Sequence, residues 1–329
     1  MIDRSWWFDS SAIRCRLFRP IMNAPLHHII RPGIVQFMAF PATMKGEGPI
    51  LESYKHILAD SYFEVIEISW IRDPAIRAQA KALLDSAGVE VKYGAQPRLL
   101  SQKLDLNSTD EAHRQRAVAE IKSAVDEAAE LGISDVGFLS GSDVPMAERD
   151  AALDRLVQSI SECCGYAAPL GVNLVLEVFD QTVDKKCLIG PAKTASMLAD
   201  RVKQKHENFG LLVDLSHIVL LNETPRQALL PVKDHLVHIH IGNAYFGPDR
   251  NDPYWGDNHP SFGHPGTPND VPQIVEFLEV LFEIGYLKKD GSKRGAVSFE
   301  IKPIGTIDPE VMIANAKRKL GEAWARLAI

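Results

Sequence analysis

The chain has 329 residues, 46% of them hydrophobic and 24% charged, a balance that excludes disorder as the dominant state and suffices for a large buried core. A formal net charge of −7, from 43 acidic and 36 basic residues, supplies no global attraction for nucleic acid or an anionic membrane surface. No apolar run reaches the roughly 18 residues of a membrane span. Cys15, Cys163, Cys164 and Cys187 form neither a CxxC pair nor a disulfide framework, so a soluble protein of the reducing cytoplasm is expected, with neither nucleic acid nor membrane as partner.

Residues 1–21, MIDRSWWFDSSAIRCRLFRPI, carry Arg4, Arg14, Arg16 and Arg19 but lack the apolar centre and small-residue cleavage site of a signal peptide. They are read as part of an N-terminal extension over residues 1–32, ahead of a folded domain over 33–329. From there apolar, strand-like runs alternate with amphipathic helical stretches, the pattern of β/α units around a parallel sheet. Strands are predicted at 34–40, 65–70, 89–93, 135–139, 173–179, 209–214, 236–241 and 296–301. Helical periodicity links Ile121, Val125, Ala128 and Ala129, and again Leu153, Leu156, Val157 and Ile160. Ser108 or Thr109 is expected to cap the helix opened by Asp110 and Glu111, Asp308 with Pro309 and Glu310 opens the last helix, and Gly88 and Gly132 close the helices before strands three and four.

Eight such units predict an α/β fold, a single (β/α)8 TIM barrel. One stretch breaks the rhythm. Residues 243–270, NAYFGPDRNDPYWGDNHPSFGHPGTPND, form a connection after strand seven too long and too rich in proline, glycine and aromatics for a simple turn. It is expected to act as a lid or specificity element at the mouth of the barrel.

Four strand candidates in the second half close on a side chain able to ligate a metal: LVLEVFD on Glu177, LLVDLSH on Asp214, HLVHIHIGN on His240 and VSFEIKP on Glu300. Either glutamate alone would read as an exposed strand-end carboxylate. Together they matter because the carboxyl ends of barrel strands converge on one mouth, where four ligands can meet at one ion. Three oxygens and one nitrogen suit Mn2+ first, with Mg2+, Co2+ or Zn2+ as alternatives.

Further residues fall near the same mouth. His217 follows Asp214 as an Asp-x-x-His pair, placed to touch substrate or a second ion, and His238 shares the inward side of its strand with His240, one layer deeper. Lys302 follows Glu300 by two residues, where an ammonium would stabilise developing oxyanion charge. Glu67, Trp70, Lys92, Gln96 and Arg98, near the ends of strands two and three, are candidate sugar contacts, since aromatic faces cover C–H surfaces while charged and amide groups bind hydroxyls. His27, His28, His113, His206 and His235 show no ligand spacing. Dinucleotide, P-loop and serine-hydrolase signatures are absent from the sequence.

LEVFD, DLSH, HIHIGN and FEIKP resemble, in the same order, the ligand motifs of the xylose isomerase-like superfamily of sugar isomerases and epimerases, with ketose 3-epimerases matching best. The resemblance spans roughly residues 34–327. It implies a divalent-metal-dependent sugar isomerase or epimerase that abstracts a proton next to a carbonyl through a metal-bound enediolate. In that case Glu177, Asp214, His240 and Glu300 bind one ion, Glu177 and Glu300 also move protons, and His217 and Lys302 assist. Phe246 and Val183 stand where ketose 3-epimerases carry an arginine and a further glutamate.

The long loop, GAQPR and FLSGSD resemble the metal-binding subunit of C-glycoside deglycosidases, which implies a lyase acting on 3-oxo-glycosides as the alternative. An endonuclease IV-like hydrolase is disfavoured, because that branch places histidines on strands two and three and this chain does not. Asp257 and His259 form an Asp-x-His pair that with His217 would suit a second ion, and His259 is also a candidate substrate contact. The expected partners are a small carbohydrate and either further copies of the chain or a second subunit.

Overall fold

The computed structural model describes residues 22–329, so the expected extension over residues 1–21 lies outside the described residues. Eight parallel strands pair in chain order and close on themselves: β1 (Ile30–Val35), β2 (Val65–Ile68), β3 (Glu90–Gly94), β4 (Asp135–Leu139), β5 (Asn173–Val178), β6 (Phe209–Asp214), β7 (Leu236–Gly242) and β8 (Gly295–Glu300). This is the (β/α)8 TIM barrel that the alternation of elements implies. Strands rich in valine, leucine and isoleucine suit such a sheet because helices cover its outer face and both faces are buried. The helix Glu111–Leu131, for example, lays Ala117, Val118, Ile121, Ala124, Val125 and Ala128 against the barrel. Among the described residues no helix is long and apolar enough to cross a membrane.

Local chemistry sets the element ends. The helix Glu111–Leu131 is capped by Asp110, whose carboxylate accepts from the backbone of Ala112 and His113, so the cap is neither Ser108 nor Thr109. Asp308 caps Pro309–Ala325 in the same way, through the amides of Glu310 and Val311. Gly132 ends its helix at φ 77°, in the left-handed region that glycine enters without steric penalty.

The first strand departs from its predicted span of 34–40. Pairing with β8 starts at Ile30, so residues 30–32 belong to the barrel rather than to a preceding extension. Past Val35 the backbone turns into a helical segment, Gln36–Ala39, held by Gln36, whose buried amide donates to Thr43 Oγ1 at 2.9 Å and Ser53 Oγ at 2.7 Å. The apolar run IVQFMAF thus crosses an element boundary that hydropathy alone does not mark.

A second irregularity bears on the mouth. Between β6 and β7 the register shifts: Leu211 faces Leu236, but Leu212 faces His238, leaving Val237 as an extra residue that is exposed. A bulge of this kind re-aims the side chains that follow it. Here it leaves Asp214 opposite His240.

Residues 243–270 fold back over the barrel mouth, clasped by two fully buried asparagines. The Asn243 amide donates to Ser261 O, Thr267 Oγ1 and Asn269 O, while that of Asn269 donates to Leu215 O and Gly242 O. Satisfying the backbone of a long connection in this way fixes it as an ordered roof.

Candidate metal centre and cavity

Glu177, Asp214, His240 and Glu300 come together at the carboxyl ends of β5 to β8. Each offers one nitrogen or oxygen atom, and these atoms all lie within 4.8 Å of one another. All four residues are buried. His240 Nδ1 stands 2.7 Å from Glu300 Oε2 and 3.6 Å from Glu177 Oε1. Asp214 caps the helix Leu215–Leu220: its carboxylate accepts from Ser216 N at 2.8 Å and Ser216 Oγ at 2.7 Å, which fixes its rotation.

Gln96 donates its amide to Glu177 Oε2 at 2.8 Å, whereas the buried Glu177 Oε1 has no hydrogen-bond partner among the described residues. Three carboxylates crowded beside one imidazole, with one oxygen left unpaired, are costly to bury without compensating positive charge. Burial, together with the neighbouring Glu300 carboxylate, pushes the Asp214 carboxyl above its ordinary range. A divalent cation fits this set on charge, and three oxygens with one nitrogen suit a hard or borderline ion.

Beside this cluster lies a second one. His217 Nδ1 donates to Val178 O at 2.8 Å, and His217 Nε2 and His259 Nε2 stand 3.2 and 3.1 Å from the same oxygen of Asp257. The other Asp257 oxygen pairs with Lys185 Nζ at 3.1 Å. Burial acts to lower both ring pKa values, but Asp257 and nearby carboxylates outweigh it, holding His217 well above the ordinary histidine value and His259 at about 9. Asp214, His217 and His259 also offer atoms within 4.8 Å of one another, so the two clusters share Asp214. His259 is held at φ 46°, a left-handed conformation uncommon outside glycine, and its carbonyl accepts from Lys302 N at 2.9 Å. Gly242 makes room for it, since a Cβ there would lie 2.7 Å from His259 Nδ1.

Around these clusters opens a cavity of about 370 Å3. Lys302 lines it, with Nζ donating to Asn258 Oδ1 at 3.0 Å, and burial followed by the nearby Lys185 ammonium pulls its pKa down. Lys185, Asp257 and Asn258 line it too, and periodicity gave no reason to single out Lys185 or Asn258. The opposite wall is apolar, built by Phe37 and Met38 after β1, by Met44, and by Pro97 and Leu100 after β3.

The five expected sugar contacts divide. Gln96 reaches the cavity but is engaged with Glu177. Glu67 and Lys92 lie at its floor, with Glu67 between His238 and His240, and Lys92 Nζ 2.6 Å from Asp135 and 2.9 Å from Glu90. Trp70 and Arg98 do not line the cavity. The Trp70 indole donates to Met44 O at 2.9 Å, and its ring lies under Arg72 and Arg98. Arg98 turns outward on the helix Gln96–Gln102 to Glu120 at 2.5 Å, Tyr93 Oη at 2.9 Å and Ser123 Oγ at 2.9 Å. Strand-end proximity suggests a contact, but direction decides it, and β2 ends at Ile68, two residues before Trp70.

A family model described as a xylose isomerase-like TIM barrel matches residues 57–320. The chain belongs to the xylose isomerase-like TIM-barrel family. No curated protein matches it by sequence. Among solved structures of this fold, D-psicose 3-epimerase from Clostridium cellulolyticum H10 aligns with 19% identity and a TM-score of 0.61, covering 90% of this chain and 96% of the other. The IOLI protein, solved with a binding zinc atom, aligns with 16% identity and a TM-score of 0.67, covering 90% and 99%. The 3-keto-D-glucoside 4-epimerase YcjR from E. coli aligns with 18% identity and a TM-score of 0.61, covering 90% and 99%. At such identities the xylose isomerase-like fold is what is shared.

Proposed function

We propose that the protein is a divalent-metal-dependent sugar isomerase or epimerase that works by removing a proton from the carbon next to a carbonyl. The observation that carries this reading is the convergence of Glu177, Asp214, His240 and Glu300 on one buried point beside a cavity. These four residues hold the ion, Mn2+ first and Mg2+, Co2+ or Zn2+ as alternatives. A bound divalent ion supplies Lewis acidity that polarises a carbonyl oxygen and makes the neighbouring C–H more acidic.

The chain's own groups do the proton work. Glu177 and Glu300 are the base and its counterpart, one removing the proton and the other returning it. Gln96 donates to Glu177 Oε2 and so fixes the rotation of that carboxylate, turning Oε1 toward His240 Nδ1. Return to the opposite face of the same carbon gives the epimer, and return to the neighbouring carbon gives the isomer. Lys302, whose ammonium meets the amide oxygen of Asn258, is placed to donate to substrate oxygen. His259 contacts substrate at the roof, whereas His217, tied to Val178 O and facing Asp257, supports that wall from behind. The epimerase activities for which proteins of this fold are named support this class.

One feature favours a second outcome of the same first step. The apolar wall of Phe37, Met38, Met44, Pro97 and Leu100 suits a sugar carrying an apolar substituent. Loss of that substituent from the carbon beyond the one deprotonated makes the protein a lyase on 3-oxo-glycosides. Nuclease chemistry has less support, since neither β2 nor β3 carries a histidine. One experiment tests the shared step: protein loaded in turn with each of the four ions is incubated in D2O with free ketoses and with 3-oxo-glycosides. Metal-dependent deuterium uptake beside the carbonyl is expected, and its absence with every ion and substrate defeats the proposal.

A further inference from the structure

The interior of a parallel barrel is ordinarily filled by branched apolar side chains. Here the layer beneath the donor cluster holds Glu67, Lys92 and His238, all buried. A carboxylate so placed is retained only if its oxygens are answered. Lys92 does not answer them, being paired with Asp135 and Glu90. Two imidazoles do: Glu67 Oε1 lies 2.6 Å from His238 Nε2, and Glu67 Oε2 lies 2.9 Å from His240 Nε2. The two rings stand edge to face, their centroids 5.0 Å apart.

A carboxylate oxygen accepts, so each of these contacts requires a hydrogen on Nε2. The other nitrogen of His240, Nδ1, faces carboxylates of the donor cluster itself, Glu300 Oε2 at 2.7 Å and Glu177 Oε1 at 3.6 Å, so a hydrogen there is the one that an ion held by Glu177 and Glu300 would displace, leaving Nδ1 to offer its lone pair. The buried Nδ1 of His238 is unpaired among the described residues, so Glu67 is the group its ring serves. We propose that Glu67, braced by His238, is a positioning residue that fixes His240 with its hydrogen on Nε2 and its Nδ1 lone pair on the metal centre. A carboxylate behind a ligating imidazole orients the ring and raises its basicity, and losing such a partner typically weakens metal binding about 10–100-fold. The assignment rests on the metal centre proposed above. It also replaces the role of sugar contact that strand position suggests for Glu67.

The test uses the full chain loaded with Zn2+ and labelled with 15N-histidine. The expected spectrum shows His240 bound through Nδ1, with a slowly exchanging hydrogen on Nε2. Zinc on His240 Nε2, the arrangement required if Glu67, His238 and His240 were themselves an ion site, overturns the proposal without recourse to any variant. In parallel, Zn2+ and Mn2+ affinities are measured for the wild type, Glu67→Gln and His238→Gln. Glu67→Gln is expected to lose about 10–100-fold in affinity and to speed exchange of the Nε2 hydrogen, with His238→Gln intermediate. Wild-type binding with Glu67→Gln affinity unchanged within twofold overturns this proposal alone. A wild-type chain that binds no divalent ion overturns the metal centre and this assignment with it.

Discussion

Gly242→Ala tests how tightly the mouth is built. An added Cβ would stand 2.7 Å from His259 Nδ1, 2.9 Å from Glu300 O and 3.1 Å from Asp214 Oδ2, against roughly 3.5–4.0 Å for comfortable contact between carbon atoms. The Glu300 carbonyl belongs to the strand paired with β7 and cannot yield cheaply. His259 is held in its left-handed conformation with its own carbonyl bonded to Lys302 N. The strain therefore moves His259 and Asp214. Overpacking of this sort costs about 1–3 kcal/mol, a fall in Tm of roughly 1.5–4.5 °C for a domain of this size. A functional constellation tolerates displacements of only about 0.5 Å, so divalent-ion affinity should fall about tenfold or more.

Gly88→Ala is the control. Gly88 sits at φ 66°, and no described atom other than its own and its chain neighbours' lies within 4 Å of the place a Cβ would take, so its substitution carries only the left-handed backbone penalty of about 1–2 kcal/mol. Thermal unfolding and calorimetric ion titration are run on both variants. Similar losses in Tm but a loss of ion affinity in Gly242→Ala alone are expected. Ion affinities that agree within twofold would show that the close approach at Gly242 does not shape the centre.

Three further outcomes follow from the same geometry. Glu177→Gln or Glu300→Gln should lower turnover more than about 100-fold with circular dichroism unchanged, and activity within about tenfold of wild type would defeat the base assignment. Arg98→Ala strips the guanidinium from Glu120 and leaves Glu127 with Arg77 and the Ile71 amide, and should cost about 3–5 kcal/mol in denaturant unfolding with KM unchanged; a raised KM at unchanged stability would restore Arg98 as a substrate contact. Elemental analysis at pH 7 should find one tightly bound ion per chain. A histidine must lose its proton to ligate, and Asp257 and Glu300 hold His259 at about 9 against the effect of burial, so protons compete with a second ion at pH 7 and its affinity should rise with pH toward that value. Two equivalents at pH 7 would contradict this.

The barrel was legible because its signal is repetitive: strands 135–139 and 209–214 match their predicted spans, and the alternation of elements determines the closure. The four-residue cluster was legible because each member ends an apolar strand, and one topology brings those ends together. What pattern could not supply is direction. Arg98 and Gln96 are two residues apart, and because the chain has already turned into the helix Gln96–Gln102 there, about 200° separates them: Gln96 points into the cavity and Arg98 toward the helix Glu111–Leu131, a split that reading them as strand-end residues misses. Glu67 read as a sugar contact near a strand end, and only the fold shows that β7 sets two imidazoles against it. The bulge at Val237 is equally silent in sequence, because valine suits a regular strand as well as a displaced one.

The cavity is divided between the two halves of the chain. The clustered donors end β5 to β8, while the apolar wall comes from the segments after β1 and β3, and Glu67 and Gln96 are the side chains that reach from the first half to Glu177 and His240. This separation makes the protein readily diversified by mutation. Met38, Met44 and Leu100 line the wall without bonding to a donor side chain, so substitutions there should alter which molecules are admitted while the donors stay in place, and descendants of this chain can change diet while inheriting their chemistry, provided those two bridging side chains are kept.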